Sequence, residues 1–465
     1  MCKGSQIMEQ MTVRDVVKAT GGRLLCGDGD TPLEHISINS QTMEGNDLFV
    51  PLIGAKVDAH LFIGQAFEHG AAATLTSRHE AMEDAHPWIH VEDTKKALQD
   101  IGAYYRRRFT LPLVGITGSV GKTTTREMIA AALSASFRVY KTKKNLNSQV
   151  GVPITLCGIS SEDEIGVLEL GMSEPGEMTI IARIADVDMA VITNVGVTHI
   201  EQLGSQENIF REKMTIQDGL KDGGILFLNG DDELLRTARA KEGCRTVTFG
   251  SRDTCDYRCE DVRIEDGYPV FTAVHGETRL LVRLGIMGRH NVSNALAALA
   301  VADQSGVPME AAARKLEDFH GFQNRQQIYE NRGVTIIDDT YNASPASMEA
   351  GLEVLNSMTN ASRRIAVLAD MKELGPKAAE FHRAIGRYIA AHPVDMVFLL
   401  GGLAAEIENG IAEGGGSCVC CRFDGEDRDG LKARLCEVLS AGDCELLKGS
   451  NSMKLGEVAA HLIHA

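Results

Sequence analysis

At 465 residues the chain exceeds what one hydrophobic core usually serves, and at about 150 residues per domain it predicts roughly three domains. Its 44% hydrophobic and 24% charged residues are ordinary globular values and exclude a disordered or fibrous chain. With 47 Lys and Arg against 64 Asp and Glu, the net charge of −17 excludes nucleic-acid binding through a general basic field, so any anionic ligand needs a local positive site.

The opening residues MCKGSQIMEQM lack the apolar run of a signal peptide, and no apolar run reaches the roughly 18 residues that span a bilayer. A cytoplasmic protein without membrane insertion is expected. A short helix over Val13–Ala19, strands around LFVPLIG (48–54), and a helix with GAAATLTS beyond it predict a small α/β domain over residues 1–92. TKKALQDIGAYYRRRF (94–109) reads as a helix leading into a central domain, residues 93–325. There LVGITG (113–118), VLELG (167–171), MAVITNV (189–195) and ILFLN (225–229) are buried-strand patterns alternating with helices, the signature of a parallel sheet covered on both faces. Asp256 to Leu284 reads as hairpins, and HNVSNALAALAVADQSG (290–306) as an alanine-rich helix. After a break at Phe319–Arg325, VTIID (334–338), RIAVLAD (364–370), MVFLLGG (396–402) and CELLKGS (444–450) alternate with helices again. They predict a Rossmann-like C-terminal domain, residues 326–465.

The eleven cysteines are an odd number in a chain too large to need disulfide staples, so reduced thiols are expected. Cys255 with Cys259, and the run Cys418, Cys420, Cys421, have metal-like closeness but no partner pair at zinc-site spacing, and read as ordinary small residues.

The sharpest motif is Thr117-Gly118-Ser119-Val120-Gly121-Lys122-Thr123-Thr124, between a buried strand and a helix. Glycines let backbone wrap phosphates, a helix N-terminus offers free N–H groups, Lys122 neutralises the β- and γ-phosphates, and Thr123 can ligate Mg²⁺. The chain departs from the standard P-loop spacing, with Ile116 where that pattern has its first glycine. An ATP or GTP site is expected. Glu169 closes a strand and His199 follows another, and strand C-termini face the ligand crevice in such sheets. Taken alone, Lys213 reads as a solvated charge, Asn145 and Asn147 as turn residues, and Asn291 and Asn294 as caps.

The blocks TGSVGKTT (117–124), KNLNSQVGVP (144–153), LELGMSEPGEM (168–178), TNVGVTHIEQLGS (193–205), GRHNVSNALAALA (288–300), DDTYNASPASM (338–348), LADMKELG (368–375) and LLKGSNSMKL (446–455), with the segment around Lys213, resemble the Mur ligase family from end to end. Within that family the last blocks look most like members that add D-alanyl-D-alanine to UDP-N-acetylmuramoyl-tripeptide in peptidoglycan precursor synthesis. The resemblance implies a UDP-sugar-peptide domain, a central ATPase and a closing C-terminal domain, in a monomer using ATP and Mg²⁺. It implies that Glu169 and His199 hold a second Mg²⁺ and that Lys213 is carbamoylated into a carboxylate-like metal ligand. Asn291 and Asn294 would lie near the adenine, and Arg325 and Asp339 would contact the nucleotide. Asn145 would approach the γ-phosphate, Ser40 and Asn147 would contact substrate, and Tyr341, Asn342 and Lys448 would form the C-terminal wall.

The resemblance also implies that the substrate carboxylate takes the γ-phosphoryl group and that the acyl-phosphate is attacked by an amine. The expected cleft is a basic exception on an acidic surface, built on Lys122, Arg325, Lys448 and Mg²⁺. Four positions depart from the family's common residues: Asn39 and Gln41 where Asp and Arg are usual, Asn451 where Arg is usual, and Thr215 where relatives are often acidic. They leave open a ligase with another acceptor or amine, and, from another class, an ATP-binding relative that does not ligate.

Overall fold

Short β-branched runs bounded by glycine or polar residues become buried parallel strands when helices cover both faces. The computed structural model, which describes residues 7–265, 267–322 and 324–464, contains three such sheets among these residues, besides a two-stranded ribbon of Met11–Thr12 with Pro32–Leu33.

The N-terminal sheet runs Arg23–Cys26, Trp88–His90, Ala71–Thr76, Asp47–Phe49, His35–Ser37, parallel except for its first pair. The helix Val13–Thr20 opens with a capping box, in which Thr12 and Asp15 satisfy each other's backbone N–H groups. LFVPLIG yields only the short strand Asp47–Phe49, because Pro51 has no N–H to continue a ladder.

The helix Thr94–Arg106, capped by Asp93, leads into the central sheet. Its order is Thr278–Arg283, Tyr268–His275, Tyr257–Glu265, Arg245–Gly250, Leu220–Asn229, Val187–Ile192, Leu113–Thr117, Ile165–Glu169, Val139–Lys141. The six strands from Arg245–Gly250 to Val139–Lys141 are parallel throughout; Tyr257–Glu265 joins them parallel to Arg245–Gly250, and the two hairpin pairs beyond it are antiparallel. Apolar residues of the central strands split between two cores, one on each face. The alanine-rich helix Asn291–Gln304 is buried almost all round, because small side chains let it lie close against the helix Lys122–Leu133.

The C-terminal sheet is ordered Gln327–Asn331, Val334–Asp339, Cys444–Lys448, Arg364–Ala369, Met396–Leu400, Val419–Phe423, parallel after its first pair. The Cys444–Lys448 strand at its middle is buried throughout, the charged Glu445 and Lys448 included. Among the described residues no helix is long and apolar enough to cross a membrane.

Candidate active site

At the C-terminal end of Leu113–Thr117 the chain turns sharply. Gly118, at φ 154°, is indispensable here, since a Cβ would sit 1.9 Å from Thr193 Oγ1. Gly121, at φ 84°, then starts the helix Lys122–Leu133. The turn is braced by the next loop: Val120 N–H donates to Asn194 Oδ1 at 2.9 Å, Asn194 Nδ2 and Thr193 Oγ1 both donate to the Val120 carbonyl, and Gly196 N–H donates to Ser119 Oγ at 2.8 Å. The first N–H groups of the following helix have no intrahelical partners, the arrangement that binds anions at helix N-termini. Lys122 Nζ folds back to donate to the Gly118 carbonyl at 2.8 Å. Burial lowers its pKa, opposed by the carboxylate of Glu169.

Glu169, at the end of the neighbouring strand, is buried. Its Oε2 accepts from Thr123 Oγ1 at 2.9 Å and Arg126 Nη1 at 3.2 Å, and its Oε1 from Asn147 Nδ2 at 2.8 Å. A hydroxyl and a carboxylate oxygen thus sit together beside the P-loop, hard donors of the kind Mg²⁺ selects. Among the described residues no group of three or more His, Cys, Asp or Glu side chains forms a metal cage. Mg²⁺ needs none, because one or two carboxylates plus phosphate oxygens and water complete its shell.

His199 adopts φ 64° just before the short helix Ile200–Leu203. Its buried Nδ1 makes no hydrogen bond, although Glu373 Oε2 of the C-terminal segment lies 2.8 Å away, out of line. The imidazole beside it holds the Glu373 carboxyl below its ordinary range. Lys213, on Gln206–Met214, is no solvated charge: it is 2% exposed. Burial, then the nearby Lys122 ammonium, push its pKa far down and favour the uncharged amine.

The opposite wall comes from the C-terminal segment. Lys448 Nζ donates to Asp339 Oδ2 at 2.6 Å and to the Asn342 carbonyl at 3.2 Å. Arg325, flanked by left-handed Asn324 and Gln326, stacks its guanidinium 3.9 Å from the Tyr341 ring centre. Its buried Nε has no hydrogen-bond partner, which leaves a donor for a ligand. Asn294 Nδ2 donates to Asn291 Oδ1, and Thr125 Oγ1 donates to Asn294 Oδ1 at 2.9 Å, a chain tying two helices behind the P-loop.

One cleft of about 330 Å³ collects Ser119 to Thr124, Asn147, Glu169, His199, Asn294, Arg325, Asp339, Tyr341, Asn342 and Lys448. Thr117, Gly118, Lys213 and Asn291 lie behind its lining. Asn145 is exposed and outside that lining, whereas Asn147 two residues on is within it. Ser40 lies in the N-terminal segment, buried and bonded to Gln65 Oε1 at 2.8 Å. The lining is not the basic exception expected from charge: Lys122, Arg325 and Lys448 face Glu169, Glu177 and Asp339.

Several contributors were not singled out from sequence. Asn194 braces the P-loop, Arg126 clamps Glu169, and Glu373 reaches His199. His290 lines the cleft, with burial pushing its imidazole down to about 4. Arg126 was the most legible of these, because Met128, Ile129, Ala132 and Leu133 mark the buried helix face and Arg126 falls on it.

Three family models match in chain order: the Mur ligase family catalytic domain over residues 32–106, the Mur ligase middle domain over 116–302, and the Mur ligase glutamate ligase domain over 324–451. A Bacillus subtilis (strain 168) protein named UDP-N-acetylmuramoyl-tripeptide--D-alanyl-D-alanine ligase is 36% identical, covering 98% of this chain and 99% of its own. The Escherichia coli (strain K12) protein of the same name is 32% identical over 80% of this chain and 82% of its own. Among solved structures, MurF from Acinetobacter baumannii superposes with a TM-score of 0.89 at 28% identity, covering 98% of this chain and all of that one. MurF ligase from Thermotoga maritima in complex with ADP gives 0.81 at 28% identity, covering 92% and 97%. The P-loop, the buried lysine and the facing C-terminal wall thus sit in a chain matched along its length, and this chain belongs to the Mur ligase family.

Proposed function

We propose that the chain is an ATP-dependent ligase that joins D-alanyl-D-alanine to UDP-N-acetylmuramoyl-tripeptide in peptidoglycan precursor synthesis. The observation that carries this reading is the convergence, in one cleft, of the P-loop lysine, the clamped Glu169 and the Arg325–Tyr341–Lys448 wall, in a chain whose relatives over nearly full length bear that name. This reading takes the protein as a cytoplasmic monomer.

A carboxylate is a poor acyl donor, so the substrate's terminal carboxyl first takes the γ-phosphoryl group and the amine of the dipeptide then displaces phosphate. Such transfer needs alignment and charge neutralisation more than covalent help. The helix N-terminus at Lys122 binds the phosphates, and Lys122 leaves the Gly118 carbonyl to meet the terminal ones. Thr123, Glu169 and His199 would hold Mg²⁺, which supplies Lewis-acid polarisation of the phosphoryl oxygens. Lys213, buried and disposed to be uncharged, is the amine suited to add CO₂, becoming a carbamate on loss of a proton and so a further anionic ligand. Asn291 and Asn294 would lie near the base, Arg325 and Asp339 would contact the rest of the nucleotide, Asn147, Tyr341, Asn342 and Lys448 would meet the substrate, and Ser40 would contact the UDP-linked substrate from the N-terminal segment. Exposed Asn145 reaches the γ-phosphate only if its loop moves inward.

The test is to incubate the protein with ATP, Mg²⁺, UDP-N-acetylmuramoyl-tripeptide and each of several amines, following ADP release and product mass. Product with D-alanyl-D-alanine supports the reading. Turnover only with another acceptor or amine rejects that specificity, and no turnover with any pair rejects ligation.

A further inference from the structure

The C-terminal sheet ends in the edge strand Val419–Phe423, which pairs with Met396–Leu400 on one side. Cys418 and Cys420 stand two residues apart, so alternation puts both thiols on one face. Their Sγ atoms are 3.9 Å apart and both are half-buried, packed at the margin of the core beneath that sheet. Neither thiol touches the cleft.

We propose that Cys418 and Cys420 form a reversible dithiol–disulfide couple that exchanges with low-molecular-weight disulfides. In a strand, residues two apart have Cα atoms about 6.6 Å from each other, at the upper end of the roughly 4.4–6.8 Å that a disulfide tolerates. Closing the bond to about 2.05 Å therefore asks for a pucker at the intervening residue. That residue, Val419, is 56% exposed and is the first of the strand. A shared hydrogen bond to Cys420 draws the Cys418 thiol below its ordinary pKa, which marks Cys418 as the attacking sulfur.

The reaction proceeds in two exchanges. Cys418 thiolate attacks one sulfur of the small disulfide, forms a mixed disulfide and expels one thiolate. Cys420, after losing its proton to solvent, attacks the Cys418 sulfur, closes the Cys418–Cys420 bond and expels the second thiolate. The protein loses two electrons and the small disulfide gains them.

The full-length protein is equilibrated at neutral pH with glutathione and glutathione disulfide in graded ratios, acid-quenched, alkylated and digested for mass spectrometry. The expected result is a Cys418–Cys420 cross-link that grows with the disulfide fraction and disappears on returning to excess thiol, while exposed Cys436 is not cross-linked. Both C420S and C420A should instead accumulate the glutathione adduct on Cys418, with melting temperatures confirming that the variants fold. The proposal is overturned if both thiols stay open to alkylation at every ratio, if the cross-link joins Cys421 instead, or if the folded variants carry no adduct at Cys418.

Discussion

Two buried ionisable residues show how far a single side chain can be taken. Lys213 looked from its neighbours Arg211 and Glu212 like surface charge, and nothing in local spacing betrays that its helix turns it inward at 2% exposure. Only the family resemblance gave it a role. If the carbamate forms there, Lys213→Ala should lower ligase turnover by on the order of 10–100-fold through weaker metal binding, and a short-chain carboxylic acid should restore part of it. Full activity of the variant would remove the carbamate from the mechanism. Glu445 is the opposite case, an acid the chemistry does not use. Both of its oxygens are buried without hydrogen bonds in the central C-terminal strand, and burial pushes its carboxyl up from 4.5 to about 8. The folded chain therefore keeps a proton that the unfolded chain sheds, so stability falls as pH climbs between those two values and levels off above the higher one. Thermal melts from about pH 5 to about pH 8 should decline more steeply for the native chain than for Glu445→Gln, and equal slopes would contradict this assignment.

At the scale of elements, the text was legible where burial is two-sided. LVGITG, RIAVLAD and CELLKGS each became a central parallel strand within a residue or two of expectation. Gln327–Asn331, reading QIYEN, and Arg245–Gly250, reading RTVTFG, are half-exposed and mix polar with apolar residues, so they carry no such run and were not singled out. The hairpins from Tyr257 to Arg283 were visible as hairpins, but sequence gives no register to say that they extend the ATP-site sheet. The same sheet depends on a polar tie between helices. Replacing Thr125 with Val leaves the buried Asn294 oxygen without its hydroxyl donor at unchanged volume, which should cost about 1–3 kcal/mol in urea unfolding. A loss below a few tenths would mean that water or another donor takes over.

Across the whole molecule, the excess of acid is not compensated in the cleft as the overall charge suggested. Arg126 is paired to Glu169 and Lys448 to Asp339, which leaves Lys122 and Arg325 to meet a triphosphate, fewer positive charges than it carries negative ones. Sequence shows which charges exist but not which are already neutralised. Binding of ATP should therefore lean on Mg²⁺: at matched concentrations, ATP with Mg²⁺ should raise the melting temperature clearly more than ATP with a chelator, the stabilisation reaching about 2.7 kcal/mol at a hundredfold excess over Kd. Equal shifts would show that the protein's own cations suffice. The brace around the P-loop has a wider reach. Thr193, Asn194 and Gly196 grip the phosphate turn, and three residues later the same unbroken backbone presents His199 toward Glu373 of the C-terminal segment. The phosphate turn, His199 and its contact with the C-terminal segment are thus strung on one splint. A wedge that pries Asn194 from Val120 would loosen all three together, so it would weaken ATP binding and ATP would in turn oppose the wedge.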